Sequence, residues 1–179
     1  KGLNVPLVYN CGGYESMEAL EVLEGIIDIY MPDMKYSDNS AAKKYSNAPD
    51  YFEINKKAVK EMYRQAGDLK IEKGIARKGL LIRHLILPEN LAASREIFEF
   101  IARELSPNIY VNIMAQYYPY HLVGNGFKPF PTEIDRRITA KEYMEAIRLA
   151  RESGLKNGFR QVMSTINRKR IPEWTDDLK

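Results

Sequence analysis

The chain has 179 residues, 45% hydrophobic and 28% charged, proportions that support a sizeable buried core and exclude a disordered tail. A net charge of +3 is too mild to indicate a nucleic-acid partner, and neither a signal peptide nor a run of about 18 apolar residues occurs. The single cysteine, Cys11, has no internal disulfide partner, so the sequence predicts a soluble protein of a reducing, cytoplasmic compartment with no membrane partner.

The chain opens on Lys1 with no initiator methionine and enters an apolar run almost at once, which reads as a start inside a domain. The first strand-like run, residues 7–10, precedes the turn signal Cys11-Gly12-Gly13-Tyr14. A helix follows that Ser16 caps, with Met17, Leu20 and Leu23 on one face and Gly25 as its stop. A second apolar run, residues 26–31, breaks at Pro32 into a loop and a helix over residues 55–66, where Val59, Met62, Tyr63 and Ala66 share a face. Residues 69–78 centre on Lys73-Gly74 between two short alternations and predict a surface hairpin. The third strand, residues 79–88, leads to a helix starting near Ser94, with Ile97, Phe98, Ile101, Ala102 and Leu105 at helical spacing. A fourth strand, residues 108–117, passes through a Pro- and Gly-rich loop, residues 119–131. Beyond it, a capping box from Thr139 to Glu142 announces a helix that Gly154 ends.

Four strand–helix units in this order predict an α/β fold of parallel strands covered by helices. A complete eightfold barrel takes about 250 residues, so the expectation is a partial parallel barrel of the TIM type, with about four β/α units. Residues 1–155 would form it and residues 156–179 an extension containing Trp174. A strand as apolar as residues 7–9 invites aggregation at an open sheet edge, which predicts preceding strands outside this chain.

Ligands of such sheets bind at the carboxyl ends of the strands. Those ends carry Asn10-Cys11-Gly12-Gly13, Met31-Pro32-Asp33-Met34-Lys35, Arg83-His84 and Gln116-Tyr117, all polar or cationic where the strand interiors are apolar. Their convergence suits an anionic or zwitterionic ligand. Asp33 and Lys35 are two apart, so a strand continuing through them aims both at one ligand; the plain alternative is a local ion pair or loop cap. Arg83, flanked by Ile82 and Leu85, needs an anionic partner. His84 points away from Arg83 and packs beneath a helix, Cys11 reads as a small apolar filler, and Met31 and Met34 read as core residues. The Gly12-Gly13 pair is a weak ligand signal. His121 has no identifiable partner, and the basic run at residues 167–170 reads as a solvated face.

The motifs VYNCGGYES, IDIYMPDMKY, LLIRHLILP and YVNIMAQYYP, in this order and with these separations, resemble the later strands of radical S-adenosylmethionine enzymes. The closest likeness is to pyruvate formate-lyase activating enzyme and its relatives, over residues 3–155. The resemblance implies the third to sixth units of a partial (β/α)6 barrel. It implies that Asp33 and Lys35 bind S-adenosylmethionine from the rim, with Met31 offering a carbonyl to a monovalent cation beside Asp33. Asn10 and Cys11 stand where the family has an Asp-Thr pair, Arg83 matches an arginine near the cofactor, and Tyr117 or Gln116 falls where the family has a histidine near the adenine.

The implied activity is reductive cleavage of S-adenosylmethionine at a [4Fe-4S] cluster, generating a glycyl radical on a partner enzyme or acting on another protein substrate, with electrons from a donor protein. Three cysteines hold that cluster in the family. This chain has one, in another place, and Gly12-Gly13 is followed by Tyr14 rather than the family's glutamate. The chain by itself is therefore expected to be inactive. Two other readings stay open: a barrel lyase or aldolase with Lys35 as Schiff-base amine and Asp33 as proton shuttle, and a non-catalytic module that binds a protein partner.

Overall fold

Strand β1 (Val8–Cys11) pairs in parallel with β2 (Ile29–Pro32), and helix α1 (Met17–Leu23) makes the crossover between them. Ser16 starts that helix by accepting from the Ala19 N–H at 3.2 Å, and Leu20 is its buried contact. The structure is a computed structural model and describes residue 2, residues 4–120, residue 123, residues 132–161 and residues 174–175. His121, most of the loop at residues 119–131 and the basic run at residues 167–170 lie outside the described residues.

After β2 come two helices, α2 (Asn39–Ser46) and α3 (Tyr51–Ala66). A short strand β3 (Lys70–Glu72) pairs antiparallel with the start of β4 (Ile75–Leu85), whose later residues run parallel to β2 and to β5 (Tyr110–Met114). Between β4 and β5 lies α4 (Ser94–Phe100), continued by a π-helical turn at Ile101–Leu105. Helix α5 (Ala140–Glu152) leads to β6 (Asn157–Gln161), parallel to β5, and β7 (Trp174–Thr175) closes the order antiparallel to β6.

The sheet reads β1-β2-β4-β5-β6-β7, with β3 on β4. Its parallel strands follow chain order, and the helices share one face of it. From the strands, Tyr30, Leu80, Ile82, Val111 and Ile113 meet Leu20, Val59, Met62, Phe98 and Ile147 in one buried cluster. Burying each such side chain contributes about 1.5–3 kcal/mol. By alternation and register the other face carries Asn10, Met31, Leu81, Arg83, Tyr110, Asn112 and Phe159. The fold is thus α/β with a parallel-dominated sheet, and no pairing among the described residues joins β1 to the far edge.

Several boundaries differ from expectation. Residues 37–50 hold α2 rather than a plain loop: Asp38 caps it by accepting from the Ser40 N–H at 2.7 Å, and Asn47 ends it at φ 51°. Ala41 and Ala42 of α2 pack with Tyr36, Tyr51, Leu87 and Ala92 in a second buried cluster. Helix α3 begins at Tyr51 instead of residue 55. The hairpin forms, but its second arm runs on into the buried strand as one element. Gly79 permits the passage at φ 127°, where a Cβ would lie 2.5 Å from the Asp68 carbonyl oxygen. Strand β5 stops at Met114, leaving Gln116 and Tyr117 beyond it. Residues 157–161, expected in the extension, pair with β5 as β6.

Candidate functional site

Asp33 follows β2 directly and couples three strand ends. Its N–H donates to the Cys11 carbonyl at 3.0 Å, and it forms an isolated parallel bridge with Arg83 of β4. The side chains meet on the face away from the helices. Arg83 donates from Nε to Asp33 Oδ1 at 2.7 Å and from Nη1 to Asn10 Oδ1 at 3.1 Å, and Lys35 Nζ lies 3.4 Å from Asp33 Oδ2. One buried carboxylate therefore faces two cations, and Asn10 adds no charge. The excess of one positive charge, with the Lys35 side chain 41% exposed, suits a ligand carrying a carboxylate or phosphate.

The backbone beneath this group is held from the helix side. Met34 is fully buried, and its carbonyl accepts from His84 Nδ1 at 2.6 Å while His84 Nε2 accepts from the Ser94 hydroxyl at 2.9 Å. Complete burial pulls the His84 pKa down to about 4, so the ring is neutral and bridges the rim to the start of α4. His84 thus packs under a helix, pointing away from Arg83.

The Gly12-Gly13 turn lies against the same backbone. Gly13 has φ 75°, and a Cβ there would sit 2.2 Å from the Asp33 carbonyl oxygen and 2.3 Å from Asn55 Nδ2. Asn55 of α3 donates to the Gly13 carbonyl at 2.8 Å and to the Asp33 carbonyl at 3.0 Å. The Tyr51 hydroxyl accepts from the Lys35 N–H at 3.0 Å and has the Gly12 and Asp33 carbonyls within reach at 3.1 and 3.2 Å. Neither residue stood out in the sequence. The signal that points to Asn55 is an amide four residues before Val59 and seven before Met62, on the apolar face of its helix.

The side chains of Cys11, Gln116 and Tyr117 make their contacts away from the Asp33 carboxylate. The Cys11 side chain packs against the helix-side cluster, and burial pushes its thiol up to about 12. Gln116 accepts from Gln161 Nε2 at 3.3 Å. The Tyr117 hydroxyl donates to the Ile134 carbonyl at 2.8 Å, and its ring packs against the cluster containing Ala41 and Leu87. Met31 sits level with Asn10 on the open face. A monovalent cation beside Met31 and Asp33 is not required for neutrality, because Arg83 and Lys35 already outnumber the carboxylate by one charge. Next to Arg83 on β5, Asn112 is buried with Oδ1 unpartnered.

A separate open groove of about 780 Å³ lies between α2 and the loop after β4, lined by Asp38, Lys44, Glu89, Glu133 and Arg136. Its cations are paired within the protein, Lys44 with Glu133 and Arg136 with Glu142.

In comparisons with known proteins, the chain is 32% identical over 153 residues to an uncharacterized protein of Methanocaldococcus jannaschii, a match covering 85% of this chain and 40% of that relative. The chain therefore spans less than half the length of the curated relative it matches. No family model matches it, and no solved structure matches it.

Proposed function

We propose that this chain is the C-terminal part of a radical S-adenosylmethionine enzyme of the pyruvate formate-lyase activating type, and that the Asn10, Asp33, Lys35 and Arg83 group is its share of the cofactor site. The observation that carries this reading is that group at the carboxyl ends of β1, β2 and β4, on a sheet whose parallel strands follow chain order with helices on one face. That arrangement suits an arc of a partial (β/α) barrel, and the length of the curated relative leaves room for the preceding units. The residues fit S-adenosylmethionine by charge: Lys35 and Arg83 would hold its carboxylate, and Asp33 would face its cationic groups.

When bound and reductively cleaved, S-adenosylmethionine supplies a 5′-deoxyadenosyl radical; in this reading a glycine of a partner enzyme is the hydrogen donor and a donor protein supplies the electron. The residues of this chain orient the cofactor and balance its charge. They do not fit an iron-sulfur cluster, because the one cysteine turns its thiol toward the helices and burial holds it protonated. The cluster ligands belong to another part of the longer enzyme, and the 179-residue chain alone is inactive.

Electron paramagnetic resonance of the anaerobically reduced full-length protein, with and without S-adenosylmethionine, tests this. A [4Fe-4S]+ signal that changes on cofactor addition is expected, with none from this chain alone. Asp33→Ala and Lys35→Ala in the full-length protein should each weaken cofactor binding about tenfold or more, which is about 1.4 kcal/mol, while the cluster signal persists. A reconstituted protein with no such signal rejects the reading. Borohydride trapping of a carbonyl substrate would then show whether Lys35 acts as a Schiff-base amine.

A further inference from the structure

The geometry points to Tyr51 and Asn55 of α3 as positioning residues that set the backbone of Asp33 to Lys35 and, resting on the proposed cofactor site, determine its affinity for S-adenosylmethionine. Regular strand structure ends at Pro32. The Asp33 and Met34 N–H groups still bond the Cys11 and Arg83 carbonyls, but the Asp33 carbonyl and the Lys35 N–H need other partners, and α3 provides them. Tyr51 accepts the Lys35 N–H, and its own proton goes to the Gly12 or Asp33 carbonyl. Asn55 uses both protons of its amide, one on Gly13 and one on Asp33. Four backbone positions of the rim, from two strand ends, are thus tied to two side chains one helical turn apart.

Asn55 is kept at a cost. Its Oδ1 is buried without a partner, and an apolar residue on this buried helix face would avoid that penalty. The amide is explained by its two donors. Gly13 completes the fit, since any side chain there would meet both Asn55 Nδ2 and the Asp33 carbonyl. The Tyr51 ring is held by Tyr14, stacked at 5.9 Å, and by Tyr36, edge-on at 5.7 Å. Tyr51→Phe therefore keeps the packing and removes only the hydroxyl.

The test follows amide hydrogen exchange at Lys35 and S-adenosylmethionine affinity in the full-length protein, for Tyr51→Phe and Asn55→Leu. Tyr36→Phe serves as the control, since the Tyr36 hydroxyl bonds Ser46 rather than the rim. Expected for Tyr51→Phe are at least tenfold faster exchange at Lys35, a melting temperature near that of the parent, and about tenfold weaker cofactor binding. Asn55→Leu should weaken binding similarly whatever its melting temperature, and Tyr36→Phe should change neither readout. Unchanged exchange at Lys35 in Tyr51→Phe overturns the inference, even where affinity falls. Failure of the parent to bind S-adenosylmethionine counts against the proposed function instead, and exchange at Lys35 then decides the positioning role by itself.

Discussion

His84 has no access to solvent and lies between the Met34 carbonyl and the Ser94 hydroxyl. Its ordinary pKa of 6.5 falls to about 4 in the fold. Between those values the unfolded chain binds a proton that the native one refuses, so stability rises with pH there and is lost as pH falls from 6.5 toward 4. The loss amounts to about 3 kcal/mol. His84→Gln should remove this part of the pH dependence and cost about 1–3 kcal/mol near neutrality through the buried partners it leaves. Urea denaturation of both proteins across that range measures it, and parallel pH profiles would contradict the assignment. Arg83 shows the complementary case of a half-buried cation on the other face of the same strand, answered by Asp33 at 2.7 Å. The expectation of an anionic partner followed from desolvation alone; which carboxylate supplies it followed from register.

The elements differ in what their local sequence announces. The side chains of Ser16 and Thr139 start α1 and α5 as expected, because a cap is a contact between residues three apart. Helix α2 has the same kind of signal in Asp38 and Asn47, but only three of its eight residues are apolar, too few for a clear periodicity. The turn from β1 into α1 depends on where α3 lies. Gly13→Ala should cost about 3 kcal/mol or more, since φ 75° is unfavourable for alanine and its Cβ would meet backbone at 2.2 Å. Gly12→Ala, with nothing within 4 Å of a Cβ, should stay within about 0.5 kcal/mol of the parent. Equal unfolding midpoints for the two variants would argue against the close approach of the Asp33 carbonyl and Asn55 to Gly13.

Exposed apolar side chains gather at the β1 end of the molecule. Val5, Val8, Val22 and Ile26 are each more than half exposed, and β1 is the outer strand of the sheet among the described residues. An unpaired apolar edge of this kind pairs with whatever chain is offered. The 179-residue chain alone should therefore self-associate as concentration rises, and Val8→Lys combined with Val22→Lys should suppress this. Sedimentation velocity across a concentration series reads the outcome, and a parent chain that stays monomeric throughout would show the edge to be protected. No helix among the described residues is long and apolar enough to cross a membrane.

The order of β1, β2, β4 and β5 with α1, α3, α4 and α5 and the hairpin at Lys73-Gly74 were legible in the sequence, and the pairing of Asp33 with Lys35 was visible there as the alternative to a shared ligand, because each rests on neighbours a few residues apart; α2 and β6 were not. The contact between Asp33 and Arg83 spans 50 residues, and that between Asn55 and Gly13 spans 42. Only the parallel register of β1, β2 and β4 and the seat of α3 against them decide those contacts. The same register separates Cys11, Gln116 and Tyr117 from the rim. Alternation sends Cys11 to the helix side, and the end of β5 at Met114 releases the other two toward Gln161 and Ile134. Local chemistry determined which residues were available, and long-range packing decided which of them meet.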